Sequence, residues 1–125
     1  MKFRYVILYV EDVQATLAFY QRAFGLEIGF IHDEADYGEL ITGDTKLAVS
    51  SKSLMRELGK TPGSVAASAP TFEIAFESDD VASAVARALD EGAILQQAAR
   101  DEPWGQITAY VSDPNGYLIE ICTPM

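Results

Sequence analysis

The chain has 125 residues, with 9 Lys and Arg against 19 Asp and Glu, for a formal charge of −10 at pH 7. No two basic residues are adjacent, so the clustered cations that release counterions from phosphate are absent and nucleic acid is excluded as a partner. At 49% hydrophobic residues the chain can bury a core, yet no apolar run approaches the roughly 20 residues that span a bilayer, and Met1-Lys2-Phe3-Arg4 leads into a strand rather than a signal peptide; a cytoplasmic protein with no membrane partner is expected.

In chain order, Tyr5 to Val10 reads as a strand, and Asp12 follows as a helix N-cap. Val13, Leu17, Tyr20 and Phe24 then keep helical spacing until Gly25. Strand patterns follow at Leu26 to Ile31, Tyr37 to Thr42 and Thr45 to Ser50, the last two joined through Gly43-Asp44. Ser53 to Gly59 is compatible with a short helix, and Lys60 to Pro70 has linker composition. The same order then returns. Residues 73–81, Glu73-Ile74-Ala75-Phe76-Glu77-Ser78-Asp79-Asp80-Val81, repeat residues 5–13 at an offset of 68. Asp80 caps a helix carrying Val81, Ala84, Val85, Ala88 and Leu89 that stops at Gly92. Strands are predicted at Ala93 to Gln97, Gln106 to Ser112 and Tyr117 to Thr123, with Asp113-Pro114-Asn115-Gly116 as a tight turn.

Each half is therefore βαβββ, and the chain is expected to be one α+β domain over residues 1–125. Module 1 covers 1–52, a connecting segment 53–70, and module 2 covers 71–125. Strand alternation puts Val6, Leu8 and Val10 under the first helix and Tyr5, Ile7 and Tyr9 on the other face. In the second half Phe72, Ile74 and Phe76 are packed, while Glu73, Ala75 and Glu77 point away. With Ile107, Ala109 and Val111 packed, Tyr110 also faces away. Helices on the outer face leave one face of each sheet to be covered, and two curved mixed sheets can enclose a cavity. The acid excess is concentrated in residues 61–125, which hold 10 acidic and 2 basic groups. Such a half suits a cationic ligand or simply keeps the protein soluble. The single cysteine, Cys122, lies in an apolar run and reads as a small buried thiol.

The duplication, the segment Val10-Glu11-Asp12-Val13, Phe19-Tyr20 with Phe24-Gly25-Leu26, and the closing Asp113-Pro114-Asn115-Gly116-Tyr117-Leu118-Ile119-Glu120-Ile121 together resemble the vicinal oxygen chelate superfamily. That superfamily includes glyoxalase I, bleomycin-resistance proteins, fosfomycin-resistance enzymes, extradiol dioxygenases and methylmalonyl-CoA epimerase. The resemblance implies the fold more than the reaction, because one fold hosts many functions. Its metal enzymes commonly carry a His seven residues before the helix-start Asp. Here that position is Tyr5, and its counterpart in module 2 is Glu73. The Glu after the Asp-Pro-Asn-Gly turn is kept as Glu120, while the matching place in module 1 falls near Ala48. Two carboxylates and a phenol make a poor transition-metal set, so no metal or other cofactor is expected. The alternative is a divalent metal at Glu73 and Glu120 with His32, the only histidine.

Glu73 and Glu120 are candidate catalytic residues if they share a face, because mutual repulsion and burial raise a carboxyl pKa into the range useful for proton transfer. Solvent exposure, or pairing with Tyr5 or Arg4, would instead leave them without a catalytic role. Pro103-Trp104-Gly105 resembles the bleomycin-resistance branch, where the Trp helps wall a planar ligand; a mouth plug or a dimer contact is an equal reading of Trp104. The resemblance thus favours a metal-independent homodimer that binds a small aromatic or cationic molecule through Tyr5, Tyr9, Tyr37, Glu73, Trp104, Tyr110 and Glu120, with Phe30 as further wall or core. A lyase, isomerase or dioxygenase of the glyoxalase-like class is the alternative.

Overall fold

A computed structural model describes residues 1–125, which fold as two compact units, Met1–Ser64 and Val65–Met125. In the first unit the order is β1 (Tyr5–Val10), α1 (Val13–Phe24), β2 (Ile28–Ile31), β3 (Tyr37–Leu40), β4 (Lys46–Ser51) and α2 (Lys52–Glu57). The second contains β5 (Glu73–Glu77), α3 (Val81–Asp90), β6 (Ile94–Asp101), β7 (Ile107–Ser112) and β8 (Leu118–Cys122). The sheets are four-stranded, open and mixed, with orders β1-β4-β3-β2 and β5-β8-β7-β6. In each the first strand pairs in parallel with the last and the other neighbours are antiparallel. The parallel pairing follows from the chain returning through a helix and a hairpin before the final strand is laid down.

α1 starts where the Asp12 carboxylate accepts the Ala15 N–H at 3.0 Å. It stops at Gly25, whose φ of 70° is a left-handed conformation that glycine adopts without strain. Val13, Thr16, Leu17, Tyr20 and Ala23 are buried, three or four residues apart, and α1 lies against β2, β3 and β4. Edge-on ring contacts of Phe19 with Tyr20 and Phe24, at centroid distances of 5.2 and 5.9 Å, extend this core. β1 alternates as its sequence requires: Leu8 and Val10 are buried and Val6 half-buried, while Tyr5 and Ile7 are exposed.

In the second unit Asp80 caps α3 by accepting the N–H and hydroxyl of Ser83 at 3.1 and 2.8 Å. These bonds to the charged form hold the Asp80 carboxyl below its usual range. α3 packs on β6, β7 and β8 over Ala109, Val111, Ile119 and Ile121, all buried.

Several boundaries differ from the sequence reading. β2 starts at Ile28 rather than Leu26. α3 takes Glu91 as its C-cap, and Gly92 beyond it carries the positive φ. β6 runs on to Asp101 instead of Gln97, and two register shifts along its pairing with β7 break the alternation that would have revealed its length. The short helix begins at Lys52 because the Ser51 hydroxyl accepts the Leu54 N–H at 3.0 Å. Ile107, expected in the packed set, is exposed at the start of β7, whereas Thr108 and Ser112 on the opposite face are buried.

The Asp113-Pro114-Asn115-Gly116 turn is held from inside. Asp113 is buried, and its Oδ1 accepts the N–H groups of Asn115 and Tyr117, both at 2.9 Å. That Asx-type turn aims β8 back along β7 and so sets which face Glu120 occupies.

Candidate functional site

The register of β5, β8 and β7 assembles the site. Ala75 pairs with Glu120, Glu73 with Leu118, and Tyr110 with Glu120, so Glu73, Tyr110 and Glu120 share the face that alternates with buried Ile119 and Ile121. The Tyr110 hydroxyl donates to Glu120 Oε2 at 3.1 Å. The Glu73 carboxyl stands close enough to Glu120 for the two to act on each other electrostatically. Desolvation first, and then the neighbouring Glu120 carboxyl, push the Glu73 pKa up. Burial also pushes Tyr110 up to about 12, together with its bond to Glu120 and the charges of Glu120, Glu73 and Glu102. The phenol is therefore a hydrogen-bond donor throughout the physiological range. Neither Glu73 nor Glu120 is paired with a lysine or arginine.

A run of polar contacts extends from this group toward Trp104 in the β6–β7 turn. The indole N–H donates to Gln106 Oε1 at 2.7 Å, and Gln106 Nε2 donates to the Thr123 carbonyl at 2.7 Å. The Cys122 thiol donates to the Phe76 carbonyl at 3.7 Å, and burial, with the nearby Glu120, raises its pKa. Trp104 keeps 59% of its surface open. Glu102 joins from the same turn, accepting from Arg100 Nε and the Thr108 hydroxyl, each at 2.7 Å. Sequence reasoning did not single out Gln106 or Glu102. Gln106 was readable as sharing parity with Tyr110 on one strand, whereas Glu102 carries no such signal in its turn.

Tyr5, Tyr9 and Tyr37 belong to the first unit. Tyr37 donates to Glu39 Oε2 at 2.7 Å, and burial, that bond, and the neighbouring Glu39 and Tyr5 raise its pKa. Phe30 leans on Tyr37 with centroids 6.5 Å apart. Tyr9 instead receives the Lys60 ammonium over its ring at 5.8 Å. Glu39 was missed, although the alternation Tyr37, Gly38, Glu39 would have put it on the same face as Tyr37. The registers also locate the duplicated positions: Ile7 pairs with Ala48 as Ala75 pairs with Glu120, and Glu39 faces Ala48 as Tyr110 faces Glu120. Module 1 thus has its carboxylate on β3, and module 2 has its own on β8. His32 lies in the β2–β3 turn with Asp36 Oδ1 at 3.1 Å from Nδ1, so its partners come from its own hairpin.

This donor set does not match the metal centre of the superfamily's enzymes. Glu73 and Glu120 present oxygen only, no imidazole stands on β1 or β5, and Ala48 has nothing to coordinate with.

A family model for the glyoxalase-like domain matches residues 3–125. The chain belongs to the glyoxalase-like family, within the vicinal oxygen chelate superfamily. It is 28% identical over 124 residues to YraH, an uncharacterized protein of Bacillus subtilis (strain 168), with 97% of each chain covered. Among solved structures it is similar to a glyoxalase-related enzyme from Fulvimarina pelagi, with a TM-score of 0.85 and 23% identity over 99% of this chain and 88% of that one. A glyoxalase/bleomycin resistance protein/dioxygenase family enzyme from Burkholderia phytofirmans PsJN gives a TM-score of 0.81 and 21% identity, with 100% of both chains covered. At such identities the likeness is one of fold. No helix of this glyoxalase-like chain is long and apolar enough to cross a membrane.

Proposed function

We propose that this glyoxalase-like chain is a metal-independent binding protein of the bleomycin-resistance type, one that sequesters a small aromatic cation as a cytoplasmic homodimer. The observation that carries this reading is the Glu73 and Glu120 pair, two carboxyl groups on one face of the β5-β8 pair with no ion pair to a basic side chain. A bound cation would relieve the repulsion between two carboxylates, giving affinity that needs no chemistry. Tyr110 orients Glu120, and the exposed indole of Trp104 offers a flat apolar face for a conjugated ring.

Trp104 is the only tryptophan, so its fluorescence reports on a single place. Titration with a planar aromatic cation such as an acridinium dye should give saturable quenching that weakens in both Glu73→Gln and Glu120→Gln, while an uncharged analogue binds poorly. Stoichiometric uptake of Ni(II), Zn(II), Mn(II) or Fe(II) that disappears in both variants would overturn the reading.

A second reading, a carboxylate-based lyase or isomerase, draws on the raised pKa of Glu73, which suits a general acid. Hemithioacetal isomerisation that is lost in Glu73→Gln would favour it over sequestration.

A further inference from the structure

We propose that the β2–β3 turn of the first unit binds a divalent transition-metal ion through His32, Glu34 and Asp36. One imidazole nitrogen and one oxygen from each carboxylate lie within 4.8 Å of one another. Ligand atoms about 2.1 Å from a common ion are separated by roughly 3.0 to 3.4 Å when they share an edge of an octahedron or tetrahedron. His32 Nδ1 and Asp36 Oδ1, 3.1 Å apart, already have that separation. Glu34 and His32 are exposed, so their side chains can close the remaining distance without disturbing the core.

The three donors occur at every second residue, and the turn gathers them. Ala35 N–H bonds the His32 carbonyl at 2.8 Å, His32 N–H bonds the Tyr37 carbonyl at 2.9 Å, and the Ser51 N–H anchors the Asp36 carbonyl at 2.8 Å. A hollow of about 350 Å³ adjoins them, lined by Glu34 and Asp36 themselves together with Ser51, Ser53 and Glu57 and by no lysine or arginine. It has room for the waters that complete a coordination shell, and its carboxylates favour a cation. The nearby Lys52 is drawn away to Glu11 at 3.5 Å. A nitrogen with two carboxylates suits Zn(II), Co(II), Ni(II) or Mn(II) better than Ca(II) or Mg(II), which prefer oxygen alone. This site is independent of the Glu73 and Glu120 pair and of the sequestering role.

The test uses untagged protein, in which His32 is the only imidazole. Titration with Zn(II) by calorimetry should show one equivalent bound, and Co(II) should shift and broaden the His32 ring signals in the proton spectrum at that same stoichiometry. His32→Ala and Asp36→Asn should each weaken binding on the order of tenfold or more, while the double variant Glu73→Gln/Glu120→Gln binds as wild type. No saturable binding, ring signals unmoved at saturation, or binding kept in His32→Ala and lost in the double carboxyl variant would each overturn the proposal. Because both His32 and Glu34 are exposed, Glu34→Gln serves as a further variant with the fold intact.

Discussion

Tyr110 and Glu120 stand directly opposite each other across β7 and β8, and the phenol hydroxyl meets the carboxylate at 3.1 Å. A donor fixed on one oxygen orients the Glu120 carboxyl that acts on Glu73. Tyr110→Phe should therefore change the raised titration of Glu73, as read by carbon NMR of its side-chain carboxyl. It should also weaken binding of an aromatic cation about fivefold, the effect of losing a hydrogen bond worth about 1 kcal/mol. Unchanged titration would show that the hydroxyl does not govern the pair.

Glu73 makes stability depend on pH in a defined direction. Its pKa is raised in the folded protein above the ordinary value of 4.5. The folded state therefore holds the proton more tightly, and that contribution is complete below pH 4.5 and lost as pH rises through the raised value. In Glu73→Gln the repulsion with Glu120 is absent. The melting temperature of the variant relative to wild type should be lowest below pH 4.5 and should climb as pH rises above it. A difference that is flat with pH would contradict the pairing.

Asp113 should be the costliest polar residue to lose. Asp113→Ala leaves the N–H groups of Asn115 and Tyr117 without their acceptor in a buried turn, which predicts a loss of about 2 kcal/mol or more in urea unfolding. Asp113→Asn keeps an acceptor oxygen and should lose less.

Gly38 lies where β3 meets α1. A Cβ there would come 2.5 Å from Leu17 Cδ1 and 3.0 Å from the Phe30 carbonyl oxygen. Leu17 is fully buried and the Phe30 oxygen is backbone, so neither can yield freely. Gly38→Ala should destabilise by about 1–3 kcal/mol in thermal or urea melts. An unchanged midpoint would show that α1 can shift on its sheet.

Much of the fold could be read locally. The Asp12 and Asp80 caps and the Gly25 stop rely on interactions within a few residues, and the alternation along β1 and β5 follows from the pleat. The offset of 68 between the two strand-to-helix segments marked the duplication for the same reason. β6 was less legible because bulges interrupt its period of two, and Ile107 because a strand end need not be covered.

The site divides in the same way. Sequence by itself determined that Glu73 and Tyr110 point away from the packed face of their sheet, since parity along a strand is local geometry, while the same face for Glu120 was what the superfamily resemblance implied. The offset of 68 also matched Tyr5 to Glu73, whereas the strand registers fixed Ala48 as the counterpart of Glu120. Only the tertiary structure decided that Glu73 lies beside Glu120 and that Tyr110 donates to Glu120, that Glu39 supplies the carboxylate of module 1, and that His32 meets Asp36. Those contacts depend on the register between strands and on the path of a turn, and a chain's own periodicity encodes neither.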